Sequence, residues 1–140
     1  MKFDLVLANA RLPDLGDRPL AIAVADGRIA AIGHEAPAAA VVEDAGGRLV
    51  LPGFVESHIH LDKACILERC RAEGSLGEAI AEVSRLKHDF SEADIAARAE
   101  RVLKMAILQG TTRMRTHAEI DTRIGLRGFH ALQRLKRDYA

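Results

Sequence analysis

Short apolar runs separated by turn residues dominate the first part of the chain. Residues 3–10, 21–25 and 28–32 are mostly apolar, and Gly46-Gly47 marks a further turn. Runs of this length, bounded by Asp, Pro and Gly, are typical of β-strands. No stretch of helical spacing occurs in residues 1–51, so the pattern predicts a small β module there.

A hairpin is predicted within this module, because Asp26-Gly27 stands between two of the apolar runs. Asp-Gly favours a type I′ turn, since both central residues of that turn need a positive φ. A two-residue loop would place Val24 opposite Ile29 and Ile22 opposite Ala31. The face that these four side chains share is apolar, so it needs cover from another part of the protein.

The pattern changes at Pro52. Residues 53–60 have the character of one more strand, and residues 111–117 are rich enough in β-branched side chains to form another. Between and after these strands the apolar positions follow helical spacing. The predicted helix faces consist of Leu76, Ile80, Val83 and Leu86-Lys87, then Ile95, Ala99, Val102, Leu103, Ala106 and Ile107, and last Leu126, Phe129, Leu132 and Leu135.

Local signals mark the ends of two of these helices. Ser91, followed three residues later by Asp94, matches a capping pattern, and Gly110 is a natural terminator for the helix that begins there. The last helix is expected over about residues 123–139. The elements after Pro52 are therefore predicted to occur in the order strand, helices, strand and helix.

A strand–helix–strand segment with a long crossover implies a parallel pair of strands. Parallel sheets have both faces covered and neighbours on either side, so two strands make an incomplete sheet. We therefore expect residues 52–140 to be an interrupted part of a larger α/β structure. The second strand is expected to expose an unpaired edge.

Charge narrows the possible partners. Lys plus Arg equals Asp plus Glu, at 20 each, which removes the usual electrostatic reason to expect nucleic acid or an anionic membrane. No apolar run approaches the roughly 18 to 20 residues that span a bilayer, and the early acid Asp4 does not suit a signal peptide. We expect a cytoplasmic protein.

Cys65 and Cys70 fit neither a disulfide framework nor a zinc pair, so we interpret both as structural.

His58-Ile59-His60 is the sharpest candidate for chemistry. Side chains two apart on a strand point the same way, so both imidazoles would converge on one side of the sheet. Two neutral imidazoles on a rigid strand can chelate a divalent ion. A catalytic site needs at least a third protein ligand and an open position for water, so this pair alone is weak evidence.

His117 and Glu119 form an H-x-E pattern. Zinc nucleoside deaminases follow that pattern with P-C-x-x-C, which is missing here, so we reject that family. His117 lies at the end of the second parallel strand, where such sheets carry functional residues. It is interpreted either as a pocket residue or as a strand-end histidine that is hydrogen-bonded among the loops.

Three further polar residues lie beside these histidines. Asp62 and Lys63 follow the histidine pair directly, and they are interpreted either as groups that orient an imidazole or as a surface ion pair. Asp121, like Glu119, either caps the last helix or belongs to a site.

Several short segments together match the pattern of a known family. They are Asp26-Gly27-Arg28-Ile29, Gly46-Gly47, residues 51–63 (LPGFVESHIHLDK), Gly110-Thr111-Thr112 and Arg115-Thr116-His117. On these segments the chain resembles the amidohydrolase superfamily, and the resemblance covers almost its whole length. The specific part is the stretch from Pro52 to His60, and the continuation resembles cytosine deaminase and the related isopropylammelide amidohydrolases.

This resemblance implies a fold, a cofactor and site residues. Residues 1–51 would be strands of a small β-sandwich domain, and residues 52–140 the first two β/α units of a (β/α)8 TIM barrel. His58 and His60 would bind one divalent metal ion, Fe2+ or Zn2+, which activates water to deaminate a small nitrogen heterocycle. His117, Asp62 and Lys63 would belong to the substrate pocket.

The family's third ligand histidine, its acid–base glutamate, a further histidine and a late aspartate have no counterpart in these 140 residues. A complete barrel needs roughly 250 residues, so the chain by itself is expected to be an inactive part of an enzyme. A cyclic-amide hydrolase, such as a dihydroorotase or hydantoinase relative, is one alternative, and a non-catalytic fragment is another. A homo-oligomeric state of the full-length protein stays open.

Overall fold

The computed structural model describes residues 2–71 and 74–140. These residues form two compact units, Met1–Pro52 and Gly53–Ala140. Both strands and helices are present, so the predicted α/β class is confirmed at that level. Within the described residues, no helix combines the length and the apolar character needed to cross a membrane.

The first unit contains strands β1 (Phe3–Ala10), β2 (Leu20–Ala25), β3 (Arg28–Gly33) and β4 (Ala39–Asp44). They form one sheet in the order β3-β2-β1-β4. Strand β1 pairs antiparallel with β2 and parallel with β4, and β2 pairs antiparallel with β3. The buried side chains of this unit are Val6 and Ala10 from β1, Leu20, Ala21, Ile22 and Ala23 from β2, and Ala45, which follows β4.

The predicted hairpin turn is confirmed, since φ is 52° at Asp26 and 70° at Gly27. Val24 pairs with Ile29 as expected. The second predicted pair is wrong, because Ile22 faces Ile32 rather than Ala31. A register shift next to Val24 adds one residue to β3, as in a β-bulge.

Strand β4 was not expected from the sequence. It lies beside β1 in a parallel register that runs from Phe3↔Ala39 to Ala8↔Asp44. The strand ends in two acids and most of its residues are exposed, so it lacks the apolar alternation that marks a half-buried strand. The Gly46-Gly47 turn that follows is present, with φ values of 59° and 74°.

The second unit contains the predicted parallel pair of strands. Strand β5 (Phe54–Ile59) pairs with β6 (Thr111–Thr116) from Phe54↔Thr111 to Ile59↔Thr116. Helices α1 (Leu76–Leu86) and α2 (Glu92–Leu108) make the crossover between them, and α3 (Arg127–Asp138) follows β6.

Helix α2 begins and ends as the sequence predicts. The Ser91 side chain accepts a hydrogen bond from the Asp94 backbone N–H at 3.1 Å, and Gly110 follows the helix with φ of 89°. Helix α1 has a full capping box between Ser75 and Glu78, which the sequence analysis missed.

Helix α3 begins at Arg127, four residues later than predicted. Asp121 does not cap it. Its carboxylate accepts hydrogen bonds from the backbone N–H groups of Arg123 and Ile124, which closes a separate turn before the helix. The left-handed conformation of Gly125, with φ of 60°, interrupts helical geometry between that turn and the helix.

All three predicted apolar helix faces are only partly buried. On α2, Ile95 and Ala99 are buried, but Ile107 is exposed. On α1, Leu86 is buried, but Leu76 and Ile80 are exposed. On the last helix, Leu132 and Leu135 are buried, whereas Leu126 and Phe129 are exposed. The core of this unit consists of Leu61, Ile66, Leu86, Phe90, Ile95, Ala99, Ile124, Ala131, Leu132 and Leu135.

Gly53 permits the close approach of β5 and β6 at their first residues. A Cβ atom built on Gly53 would overlap the Thr112 side chain and would come within 2.8 Å of its Cβ. We predict that Gly53→Ala lowers the free energy of unfolding by about 1 to 3 kcal/mol, as overpacking commonly does. Thermal and urea unfolding followed by circular dichroism would measure the change.

Gly33→Ala is the matched control, because a Cβ there meets no atom within 4 Å. Adding Thr112→Ala to Gly53→Ala should recover part of the lost stability. Equal stability of the two glycine variants would contradict the predicted clash.

Candidate functional site

Three histidines meet where β5 and β6 end. His58 lies on β5, His60 follows β5 directly, and His117 follows β6 directly. Their ring centroids are 5.7 Å apart for His58 and His60, 4.3 Å for His58 and His117, and 5.3 Å for His60 and His117. The His117 backbone N–H donates to the Ile59 carbonyl at 2.8 Å, which extends the parallel pairing to the edge where the rings meet. The structure thus brings together all three histidines that the sequence analysis selected.

The three rings pack against one another. Their planes meet at 56°, 38° and 29°, and the His60 and His117 rings are stacked. Desolvation lowers the pKa of His117, and the nearby His58 and His60 lower it further. The neutral imidazole is therefore favoured at His117, as expected where imidazoles crowd together.

Asp62 lies behind His60 and is fully buried. One carboxylate oxygen, Oδ2, accepts a hydrogen bond from the Glu119 backbone N–H at 2.7 Å. The other, Oδ1, is 3.6 Å from Nδ1 of His60, and both of these atoms lack a hydrogen-bond partner among the described residues. Helix α3 packs directly against this side chain, since a Cβ on Gly128 would be 3.4 Å from the Asp62 Cβ. The interpretation of Asp62 as part of a surface ion pair is therefore wrong.

The donor chemistry at this edge fits a divalent metal ion in part. His58 and His60 offer two imidazoles, and the carboxylate beside Nδ1 of His60 is the kind of partner that orients a metal-binding histidine. Within residues 2–71 and 74–140, however, no three His, Cys, Asp or Glu side chains are arranged to hold an ion. The described residues thus offer two imidazoles at this edge, whereas a complete metal site requires at least one further protein ligand.

Lys63 belongs to a charged cluster that joins the loops after β5 and β6. Its Nζ lies 3.5 Å from Glu119 Oε2, and the other oxygen of Glu119 accepts a hydrogen bond from Lys87 Nζ at 3.1 Å. Lys87 also donates to Asp121 Oδ2. The Lys87 side chain is only 7% exposed, so the ammonium is held mainly by these two carboxylates.

The carboxylates determine the charge states in this cluster. The hydrogen bond to Asp121 is the main cause that raises the pKa of Lys87, and burial works in the opposite direction. The same bond, with two backbone N–H donors, lowers the pKa of Asp121. The sequence analysis placed Lys87 on the buried face of α1 but gave it no role. A lysine at a position assigned to the core was the signal that could have identified it.

Cys65 and Cys70 both have free thiols, and Cys65 is exposed. The remaining histidines lie elsewhere: His34 contacts the Pro19 carbonyl at 3.2 Å, His88 follows α1, and His130 lies on α3.

The profile of the amidohydrolase family matches residues 41–133, which is more than half of the chain. The chain therefore belongs to the amidohydrolase family, a family of enzymes, as its sequence resemblance predicted. Members of this superfamily use a divalent metal ion.

Two solved structures resemble the chain over almost its whole length. The 5-methylcytosine deaminase of Klebsiella pneumoniae, liganded with 5-fluorocytosine, is 32% identical with a TM-score of 0.82, over 95% of this chain and 33% of that one. The N-isopropylammelide isopropylaminohydrolase of Burkholderia multivorans is 30% identical with a TM-score of 0.78, over 96% of this chain and 34% of that one. The resemblance to the cytosine-deaminase-like branch is thereby confirmed.

Allantoinases match a shorter part of the chain. The enzyme of Streptomyces avermitilis is 44% identical over 64 residues, and that of Escherichia coli O1:K1 is 42% identical over 64 residues. These matches include 42% and 45% of this chain and 14% of each allantoinase. The chain thus spans about a third of the solved enzymes and a much smaller part of the allantoinases.

The pKa shifts in the Lys87 cluster predict how stability depends on pH. The pKa of Asp121 is lowered, so its contribution is present above the unfolded value of about 3.9 and is lost as pH falls through the folded pKa. The pKa of Lys87 is raised, so its contribution is present below the unfolded value of about 10.4 and is lost as pH rises through the folded pKa. Lys87→Met should cost about 1 to 3 kcal/mol near neutral pH, because it removes the ammonium that donates to both partly buried carboxylates, Glu119 and Asp121. The free energy of unfolding of this variant should also depend less on pH than that of the wild type, both in acid and in alkaline solution.

Urea unfolding at a series of pH values would test this expectation. Lys104→Met is the matched control, because Lys104 pairs with Glu100 at the surface, where such pairs contribute little. A Lys87→Met protein with the wild-type pH profile would contradict the role of the buried ammonium.

Proposed function

We propose that this chain is the part of a metal-dependent hydrolase that carries two of its metal ligands. The proposed reaction is the cleavage of a non-peptide C–N bond, in which activated water deaminates a small nitrogen heterocycle related to cytosine or an aminotriazine. The convergence of His58, His60 and His117 at the ends of two parallel strands is the observation that carries this proposal. The likeness to two enzymes that act on such rings, over 95% and 96% of the chain, supports it.

The second unit is proposed to be two β/α units of an incomplete (β/α)8 barrel, and the first unit to be part of a β-sandwich. The parallel register of β5 and β6, with helices in the crossover, supports the barrel. Functional residues of such barrels lie at the carboxyl ends of the strands, and the three histidines lie at that end of β5 and β6.

In this proposal His58 and His60 hold the metal ion through neutral imidazoles. Asp62 keeps the His60 ring in place, since one carboxylate oxygen faces Nδ1 while the other is fixed by the Glu119 N–H. When bound, a divalent ion acts as a Lewis acid that makes water reactive near neutral pH. Whether the ion is Fe2+ or Zn2+ depends on the complete ligand set.

His117 and Lys63 are proposed to face the substrate. His117 packs against both ligand histidines and favours its neutral form, so it can accept or donate one hydrogen bond to a heterocycle. Lys63 has three N–H donors and lies 3.5 Å from Glu119, which leaves donors for a ring carbonyl. Asp62 acts through His60, because its buried carboxylate is turned toward the protein.

A cyclic-amide hydrolase is the second candidate function, and the identity of 44% with an allantoinase favours it. That match includes 42% of this chain, whereas the likeness to the two deaminating enzymes extends over more than twice that share. Deamination is for this reason the first proposal.

Metal binding gives a direct test of the ligand assignment. We expect the wild-type chain to bind Zn2+ in calorimetric titration, and His58→Ala/His60→Ala to abolish that binding while the circular dichroism spectrum and melting temperature stay unchanged. The double variant His34→Ala/His130→Ala is the control, because His34 belongs to the first unit and His130 lies on α3, and it should bind Zn2+ like wild type. Undiminished binding by the first double variant would refute the ligand assignment.

The substrate class is tested with a protein that joins these residues to the missing acid–base groups. We expect it to release ammonia or an amine from cytosine or an aminotriazine, measured by an enzyme-coupled ammonia assay and chromatography. These 140 residues alone should be inactive. Opening of hydantoin or allantoin without ammonia release would favour the cyclic-amide hydrolase and overturn deamination.

A further inference from the structure

We infer that Arg98 on α2 is a positioning residue, which fixes the turn that carries Asp62 and Lys63 directly after the ligand histidine His60. This inference rests on the proposed function for its consequence at the metal ligands. The fixing of the turn itself is tested without metal.

The turn that follows His60 is a short 3₁₀ segment, Leu61–Lys63, and Arg98 spans its end. The Nη1 of Arg98 donates to the carbonyl of Asp62 at 3.1 Å and to the carbonyl of Ala64 at 2.6 Å. One guanidinium nitrogen thereby bridges two carbonyls on either side of Lys63. Both carbonyls lie beyond the end of β5, where the parallel ladder no longer holds the backbone.

The guanidinium is itself fixed by two other side chains. Its Nε donates to Asp94 Oδ2 at 3.0 Å, and its Cζ lies 4.6 Å from the centroid of the Phe90 ring. Asp94 is held in turn by two hydrogen bonds from Arg69, at 2.7 and 3.1 Å. A planar fork suits this arrangement, whereas a lysine ammonium could not stack on Phe90 and bridge the same acceptors.

Energetic considerations favour a positional role over a purely stabilising one. Arg98 is buried, and removing a charge from water costs several kcal/mol unless it is paired in good geometry, so a buried ion pair is weak evidence for stability. Its Nη2 also lacks a hydrogen-bond partner among the described residues, which adds a cost. What this side chain provides in return is the fixed geometry of the turn.

The position of the turn affects the candidate ligands through a few direct contacts. The turn begins at Leu61, whose N–H donates to Thr116 Oγ1 at 3.1 Å, and so joins the end of β5 to the end of β6. The next residue, Asp62, faces His60 with one oxygen and is fixed by Glu119 with the other. A turn that shifted would move the Asp62 carboxylate away from Nδ1 of His60.

Amide hydrogen exchange in the full 140-residue chain, without metal, tests the position of the turn. The amides of Lys63 and Ala64 donate to the carbonyls of His60 and Leu61 at 3.2 and 3.3 Å. In Arg98→Met we expect these two amides to exchange at least about tenfold faster than in wild type, while amides within β6 change little. Arg98→Lys should restore only a small part of the protection, since one ammonium cannot replace the fork.

Zinc titration of the same proteins tests the consequence for the ligands. Loss of a residue that supports a metal ligand typically weakens metal binding by about 10 to 100-fold, so we expect a loss of that size in Arg98→Met. Arg101→Met is the matched control, because Arg101 lies on the same helix and is exposed. It should leave both the exchange rates and the zinc affinity unchanged.

If Arg98→Met does not fold, Arg69→Met provides the same readouts, because Arg69 is partly exposed and acts on Arg98 only through Asp94. It should give a smaller acceleration at the same two amides. Acceleration spread evenly over β6 and the turn would overturn the inference, and so would unchanged zinc affinity in a variant with a loosened turn. Absence of zinc binding by the wild-type chain would instead count against the proposed function, and the exchange rates would still decide the role of Arg98.

Discussion

The parallel pairing of Phe54–Ile59 with Thr111–Thr116 is the constraint on which the second unit depends. Parallel strands need a long crossover, which accounts for the two helices between them. They also end at the same edge, so residues that are far apart in sequence, His58 and His117, come to have ring centroids 4.3 Å apart. The closeness of the two strands depends in turn on Gly53, where a Cβ would overlap Thr112. The register of the two strands therefore determines which residues meet at the site.

Two buried cations bond to the segments that follow the two paired strands. Arg98 bonds to the backbone of the turn after β5, and Lys87 bonds to the acids of the loop after β6. These loops lie beyond the last ladder hydrogen bonds, where the strand pairing no longer holds the backbone. Charged side chains suit this role because one group can satisfy several carbonyl or carboxylate oxygens that point in different directions. The fold thus uses buried charge to position the loops and apolar side chains to form the core.

Much of the fold could be predicted because it depends on local patterns. The Asp26-Gly27 turn, the Ser91 cap and the two parallel strands follow from neighbouring residues. The pairing of Ile22 was mispredicted because a bulge depends on the partner strand. Of the site, the histidines could be predicted, because their spacing and family resemblance lie in short segments. The roles of Lys87 and Arg98 could not, since their acceptors Glu119 and Asp62 are 32 and 36 residues away in the chain.

The proposed metal ligands of this chain are His58 and His60, and this assignment can be tested directly. Nitrogen-15 NMR of the imidazole rings during a Zn2+ titration tests it most directly, because a ring nitrogen that binds zinc shifts strongly and stops exchanging protons. We predict that one nitrogen of His58 and one of His60 shift together at low zinc concentrations, while those of His34, His88 and His130 stay in place. Equal shifts at all six histidines, or shifts that leave out the pair on β5, would contradict the account.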